Sequence, residues 1–283
     1  MPTLSSPALD GGAVHAVRHR GLAALAHVCP PEPYQGSEEE VRGWVAAHNA
    51  VVEEAWQSAE SVLPMSFDVI VTGDADRSAE ANLTCWLAEH YAALSGRLQS
   101  LEGRAEVGVQ VLWDIENLNV SGVIEAQAPV IPPRGRAYFA RQQLQRHFKE
   151  ELERKSAADC RRYIESLRAL ADDVQVNKPR PVKGRQMVLN LSLLAARAAI
   201  SRLGEYLEGV SQEPGVEVRF TGPWPPYSFA GAFGIVENNG REVRWPTGQS
   251  EVNGRQGAHG ADSKERRREG DAPRAGRDVG PQS

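Results

Sequence analysis

Cysteine is scarce in this chain, with three in 283 residues, Cys29, Cys85 and Cys160. They lie far apart, show no C-x-x-C spacing and cannot all pair, which argues against a secreted disulfide framework and for buried thiols in a reducing cytoplasm. Long apolar runs are missing as well. Residues 22–28 are too short for a signal-peptide core and lack a cleavage-site pattern, and no segment reaches the length of a membrane span, so a soluble protein that is not exported is expected. An excess of positive charge is also absent, since 32 Lys and Arg stand against 37 Asp and Glu for a net charge of -5. Phosphate affinity rests on a clear surplus of Lys and Arg, so this balance argues against a general nucleic-acid binder. Finally, there is no G-x-S-x-G, no Walker sequence and no dinucleotide fingerprint after a strand, which leaves no positive reason to propose an enzyme or a cofactor. His15 and His19 have the spacing that suits a metal on a helix, but they fall in a leader or edge strand with no third ligand near them. Asp74 and Asp76 follow Thr72 and Gly73 as a turn or helix cap would.

What is present reads as a mixed α+β chain. At 41% hydrophobic and 24% charged, its length suits two modest domains plus an unstructured part, and the mean hydropathy of -0.43 shows a polar excess. Residues 1–12 form a loose leader. Residues 22–28 make a strand that Pro30, Pro31 and Pro33 end. Ser37 and Glu40 match a capping box, and Val41, Trp44, Val45, His48, Val52 and Ala55 then recur at helical spacing. Residues 62–71 alternate as a strand, with Leu63, Met65, Phe67, Val69 and Val71 on one side. Leu83, Leu87, Tyr91, Leu94, Leu98 and Leu101 describe one helix over residues 76–101, which Gly103 stops. Residues 106–113 are a further strand. This alternation predicts an N-terminal α/β sandwich-like domain over residues 13–133, closed by a proline-rich connection at 117–133.

The second half begins with the longest helical region, residues 135–174, whose charges around Arg146 to Lys155 read as a solvated face. Pro179 and Pro181 lie beyond its end. Residues 185–194 are the clearest strand, with Met187, Leu189, Leu191 and Leu193 set against Asn190 and Ser192. A helix over Ala196, Ile200, Leu203 and Leu207 and a strand at 216–220 follow, so that this β-α-β unit looks like half of a ferredoxin-like domain over residues 134–236. From about Glu237 apolar residues nearly vanish, which predicts a disordered tail over 237–283; Lys264 to Arg268 is a basic knot within it, nearly balanced by acids.

The stretch Thr221, Gly222, Pro223, Trp224, Pro225, Pro226, Tyr227, Ser228, Phe229 follows that last strand, whose Phe220 is expected to point inward. Pro223, Pro225 and Pro226 give no N–H to a ladder, so the strand should end here on a stiff backbone. Trp224, Tyr227 and Phe229 on that backbone lose little entropy when buried. Two readings stay open: a plug that closes the protein's own core, or an aromatic docking surface for another protein.

Val218-Arg-Phe-Thr-Gly-Pro-Trp-Pro-Pro-Tyr-Ser-Phe229 resembles the C-terminal signature of the gas vesicle protein GvpF/GvpL family. Further segments resemble the same family in order: Gly21-Leu-Ala-Ala-Leu25, His48 with Val51-Val52-Glu53, Val62-Leu-Pro-Met65 with Phe67, Leu101-Glu-Gly103 through Glu106-Val-Gly-Val109, Gly135-Arg-Ala-Tyr-Phe139 and Met187-Val-Leu-Asn-Leu191. Together they cover the chain from about Ala13 to Ala230. The chain departs from the family where Ser66, Asp68 and Val69 replace a basic residue and small-residue turn, where Gln110 stands for a frequent Lys, and where an aromatic-rich first strand has no equivalent. The resemblance implies an accessory or minor structural protein of gas vesicles, acting in assembly through contacts with the small hydrophobic shell protein and other vesicle accessory proteins, in the cytoplasm and at the vesicle. From the residues alone, a ferredoxin-like small-ligand-binding regulatory protein is the alternative.

Overall fold

The computed structural model describes residues 6, 9, 11–115, 137–231, 235–236 and 242–243. Strands β1 (His15–His19) and β2 (Leu22–Ala26) pair as an antiparallel hairpin, and Arg20 at the turn takes φ 51°. The sequence does not announce β1, because His15, Arg18 and His19 dilute its apolar alternation; β2 matches the expected strand. Helix α1 (Glu38–Ser58) starts at a complete capping box, in which Glu40 N–H donates to Ser37 Oγ at 3.4 Å and Ser37 N–H donates to Glu40 Oε2 at 2.7 Å. It buries Val52, Ala55 and Trp56.

Residues 62–71 do not form the expected strand. His48 Nε2–H takes the Met65 carbonyl at 3.0 Å, and Asp68 adopts φ 70° while its carboxylate accepts the Tyr34 N–H at 3.2 Å. A left-handed residue in mid-segment interrupts the period of two that a ladder needs. The single helix expected over 76–101 is likewise two helices, α2 (Ala79–Glu89) and α3 (Tyr91–Leu101). The break is at His90, with ψ 9°, whose Nδ1 lies 3.0 Å from the Trp86 carbonyl and whose ring stacks on Trp86. Gly103, at φ 68°, follows α3 as expected. Val17, Leu22, Leu87 and Leu94 form the buried centre of this part.

The remaining elements build one sheet. Strand β3 (Arg104–Trp113) leads to helix α4 (Ala137–Arg168), strand β4 (Asp173–Val176), strand β5 (Gln186–Ala196), helix α5 (Ile200–Ser211) and strand β6 (Val216–Trp224). The sheet order is β4-β5-β3-β6, with every neighbouring pair antiparallel. The expected boundary at 133/134 therefore passes between β3 and both of its ladder partners. A strand buried on both faces belongs in the middle of a sheet, and Ala105, Val107, Val109, Val111, Leu112 and Trp113 are all buried. All the described residues lie in one unit, Met1–Gly248.

One face of the sheet packs Val107, Val109, Val111, Trp113, Leu191 and Leu193 against α4 and α5. From α5 come Leu203, Leu207 and Val210, spaced along one helical stripe, each contributing about 1.5–3 kcal/mol by burial. Helix α4 stops at Arg168, short of the expected 174: Leu170 and Ala171 N–H both donate to the Leu167 carbonyl, and Asp172 N–H then donates to Leu194 O, so that Val174 enters β4. Arg162 of α4 holds Glu213 beyond α5 with two bonds of 2.8 Å, and the Tyr163 hydroxyl donates to the same carboxylate at 3.0 Å. The Arg162 bond holds the Glu213 carboxyl below its usual range, while burial pushes the Tyr163 hydroxyl up. Two short strands, β7 (Ile235–Val236) and β8 (Glu242–Val243), pair across the point where the structureless tail was expected to begin. The connection at 117–133 and the basic knot at 264–268 lie outside the described residues.

Candidate functional site

The 221–229 stretch does not leave the sheet where its prolines suggest. β6 continues to Trp224, with a register shift between Glu106 and Gly108 of β3 that brings Glu106 opposite Trp224. Pro223 is tolerated because β6 is an edge strand, where a missing N–H costs no ladder bond. Two glycines make the bend possible. A Cβ on Gly108 would lie 2.6 Å from Thr221 Oγ1, and a Cβ on Gly222, at φ 111°, would lie 2.9 Å from the Glu106 carbonyl oxygen. The Gly222–Pro223 peptide is cis.

The structure divides the aromatic stretch in two. Thr221, Gly222, Pro223 and Trp224 are exposed, with Trp224 at 49%, and Phe220 before them is 37% exposed rather than turned inward. Both large rings lie on an edge strand, where no further strand among the described residues covers their outer flank. Pro225, Pro226 and Phe229 are buried, Phe229 at 3% against Leu101 and Leu194 with Leu63 alongside. Core plug and exposed surface thus share one segment: the plug is Pro225, Pro226 and Phe229, and Trp224 is outside it.

Between the halves sits a polar anchor that the residue pattern does not announce. Residues Tyr227–Phe229 form a 3-10 turn, and Ser228 within it donates to the Glu106 carboxylate twice, from N at 2.8 Å and from Oγ at 2.6 Å. Glu106 is 9% exposed, and such charge-assisted bonds compensate its burial. Ser228 Oγ also lies 3.1 Å from Ser192 Oγ, which accepts from Asn177 Nδ2 at 3.2 Å. The Tyr227 hydroxyl donates to Asn49 Oδ1 of α1 at 3.1 Å. Tyr227 is 37% exposed, and the partial burial of its hydroxyl, with Glu53 and Glu106 adding to it, pushes the hydroxyl up to about 12. On α1, Trp56 receives the Arg197 guanidinium over its ring at 3.9 Å. The stretch is therefore fastened to β3, β5 and α1. Glu106 alternates with valines and reads as a solvent position; only the packing of the 227–229 turn against it shows that it is covered.

The other candidates take structural places. His15 and His19 lie on β1, and the His19 ring meets Tyr91 edge-on. Asp74 Oδ1 accepts the N–H groups of Asp76 and Arg77 at 2.8 Å each, a turn just before the Ser78 cap of α2. Those bonds hold its carboxyl below the usual range. Among the described residues, no group of three or more His, Cys, Asp or Glu could hold a metal ion, and no helix is long and apolar enough to cross a membrane.

The sequence model described as gas vesicle synthesis protein GvpL/GvpF matches residues 2–231. The chain belongs to the GvpL/GvpF family. It is similar to gas vesicle protein L1 of Halobacterium salinarum, at 28% identity over 248 residues, covering 81% of this chain and 84% of that one. Gas vesicle protein L of a Streptomyces species is also 28% identical over 248 residues, covering 83% and 89% of the two chains. Crystal structures of GvpF from Anabaena and from Microcystis aeruginosa match with TM-scores of 0.59 and 0.58. They share 21% and 17% identity, and the matches cover 81% and 80% of this chain and 92% and 91% of theirs. At those identities the likeness shows the fold, a mixed helix and sheet arrangement of the GvpF kind. As a GvpL/GvpF protein the chain is involved in gas vesicle formation, and the matched region ends just past the aromatic stretch.

Proposed function

We propose that this protein is an accessory or minor structural component of gas vesicles, working in the cytoplasm and at the vesicle by binding the small hydrophobic shell protein and other vesicle proteins. The docking surface in this reading is the exposed part of the 221–229 stretch, centred on Trp224 with Pro223 and Phe220 beside it. The observation that carries it is the half-exposed Trp224 ring on a backbone anchored by Pro225, Pro226, Phe229 and the Ser228–Glu106 bonds. A large ring held rigidly at a surface loses little entropy on binding and exposes apolar area that a partner can bury. The strand–helix–strand–strand–helix–strand order of β3 to β6 and the sheet order β4-β5-β3-β6 support a ferredoxin-like reading of residues 104–224, with the preceding part ending near Gly103.

The test is co-purification of the shell protein with the full chain and with Trp224→Ala. Loss of the shell protein from the variant, at unchanged melting temperature, is expected. Equal recovery by both proteins would remove Trp224 from the interface.

A further inference from the structure

Beside the β1–β2 hairpin lies a cleft of about 950 Å³. Its lining includes every residue of β2 in succession and continues through Cys29, whereas β1 contributes only His15 and Val17. A strand that met the cleft with one face would contribute alternate residues, so an unbroken run means that β2 meets it edge-on. Among the described residues the hairpin sheet has two strands. In a two-residue hairpin the closing pair, here His19 and Leu22, exchanges hydrogen bonds, so Ala23 and Leu25 direct their N–H and C=O groups away from β1. Those are open ladder positions on the cleft side. The sequence Leu22-Ala-Ala-Leu-Ala26 carries no proline, lysine or other charge, the devices that guard an open edge, and Leu25 is left exposed.

The cleft's other features describe what fits it. Residues 62–71 form much of the opposite wall, and Leu22, Ala24, Val52 and Leu63 give an apolar interior. Among the described residues of the lining, and apart from histidines, the ionisable side chains are Glu60, Asp68, Glu80 and Glu102, with Cys29, Tyr34 and Tyr91, and neither Lys nor Arg is among them. We propose that this cleft binds one extended segment of a partner protein, which adds to β2 as a third strand. The segment is free of proline, apolar at alternate positions and basic at its ends, and it spans about 5–7 residues at roughly 3.3 Å each. This binding mode is independent of the Trp224 surface, which lies on a different strand.

The probe is a fluorescein-labelled peptide Lys-Lys-Val-Thr-Val-Thr-Val-Lys-Lys, titrated into the full chain and followed by anisotropy. Saturable binding is expected, with slowed hydrogen exchange at the Ala23 and Leu25 amides. The same peptide N-methylated at alternate residues loses ladder donors and should bind about tenfold or more weakly, and a Glu-flanked peptide should also bind more weakly. Ala23→Pro removes an outward N–H without touching the β1 ladder and should weaken binding to a similar degree. If that variant fails to fold, the methylated peptide on the unchanged protein decides the matter. No saturable binding, equal binding of the methylated peptide, or a dimer of this chain that the peptide dissociates would each overturn the proposal, the last by showing that the edge pairs with a second copy.

Discussion

Trp224 and Phe229 share one short segment and have opposite surroundings, which makes them a matched pair for substitution. Trp224→Ala should change stability by less than about 1 kcal/mol, because the ring is half in water. Phe229→Ala opens a cavity beside Leu101 and Leu194 and should cost about 3–5 kcal/mol. Thermal melts of the two variants check the contrast, and a large loss for Trp224→Ala would return that ring to the core. A second residue-scale effect is pH-dependent. Burial lowers the His48 pKa from 6.5, with the Met65 carbonyl opposing and His27 adding to the shift. The unfolded chain thus binds a proton at higher pH than the native one, so the stability present above about pH 6.5 falls as pH drops below it. Melting temperature should decline from pH 7 towards pH 5, and His48→Gln should flatten the decline; parallel curves for the two proteins would count against this assignment.

At the scale of elements, α1 is the helix that carries Asn49 to Tyr227 and Trp56 to Arg197. Its start rests on the Ser37–Glu40 box, and Ser37→Ala should cost about 1 kcal/mol, measurable by urea unfolding. An unchanged midpoint would mean that tertiary contacts alone hold the helix end. The box was legible because it is local: two residues three apart satisfy each other's backbone. Residues 62–71 show the opposite case. Their alternation is as regular as that of β5, but a strand also needs a ladder partner, and the His48 bond and the left-handed Asp68 take that backbone elsewhere. His90 breaks the helix at 76–101 in the same manner, through a contact with Trp86 that no apolar spacing encodes.

For the whole molecule, the described residues fall in Met1–Gly248, and residues 249–283 follow as the last segment of the sequence. The composition of that last segment offers no apolar face, so a chain ending at Gly248 should melt within about 2 °C of the full protein. A larger drop would show that residues 249–283 contribute to folding. The same argument about burial applies to the sheet. The residues of β3 read as a further strand of the first domain, but it is the inner strand between β5 and β6, and it joins the two halves of the chain.

The sequence by itself determined the family, through the ordered motifs from Gly21 to Phe229, and the elements whose signals are local, namely α1, β2, β5 and α5. Side-chain period and capping chemistry act within a few residues, so they survive without a fold around them. Only the tertiary structure decided the position of β3, the continuation of β6 through Pro223, and the division of the aromatic stretch into a buried Phe229 and an exposed Trp224. Each of these depends on which strand lies alongside which. Proline in a strand is excluded from the middle of a sheet and accepted at its edge, and an aromatic ring is core or surface according to what covers it, both matters of partners far away in the chain.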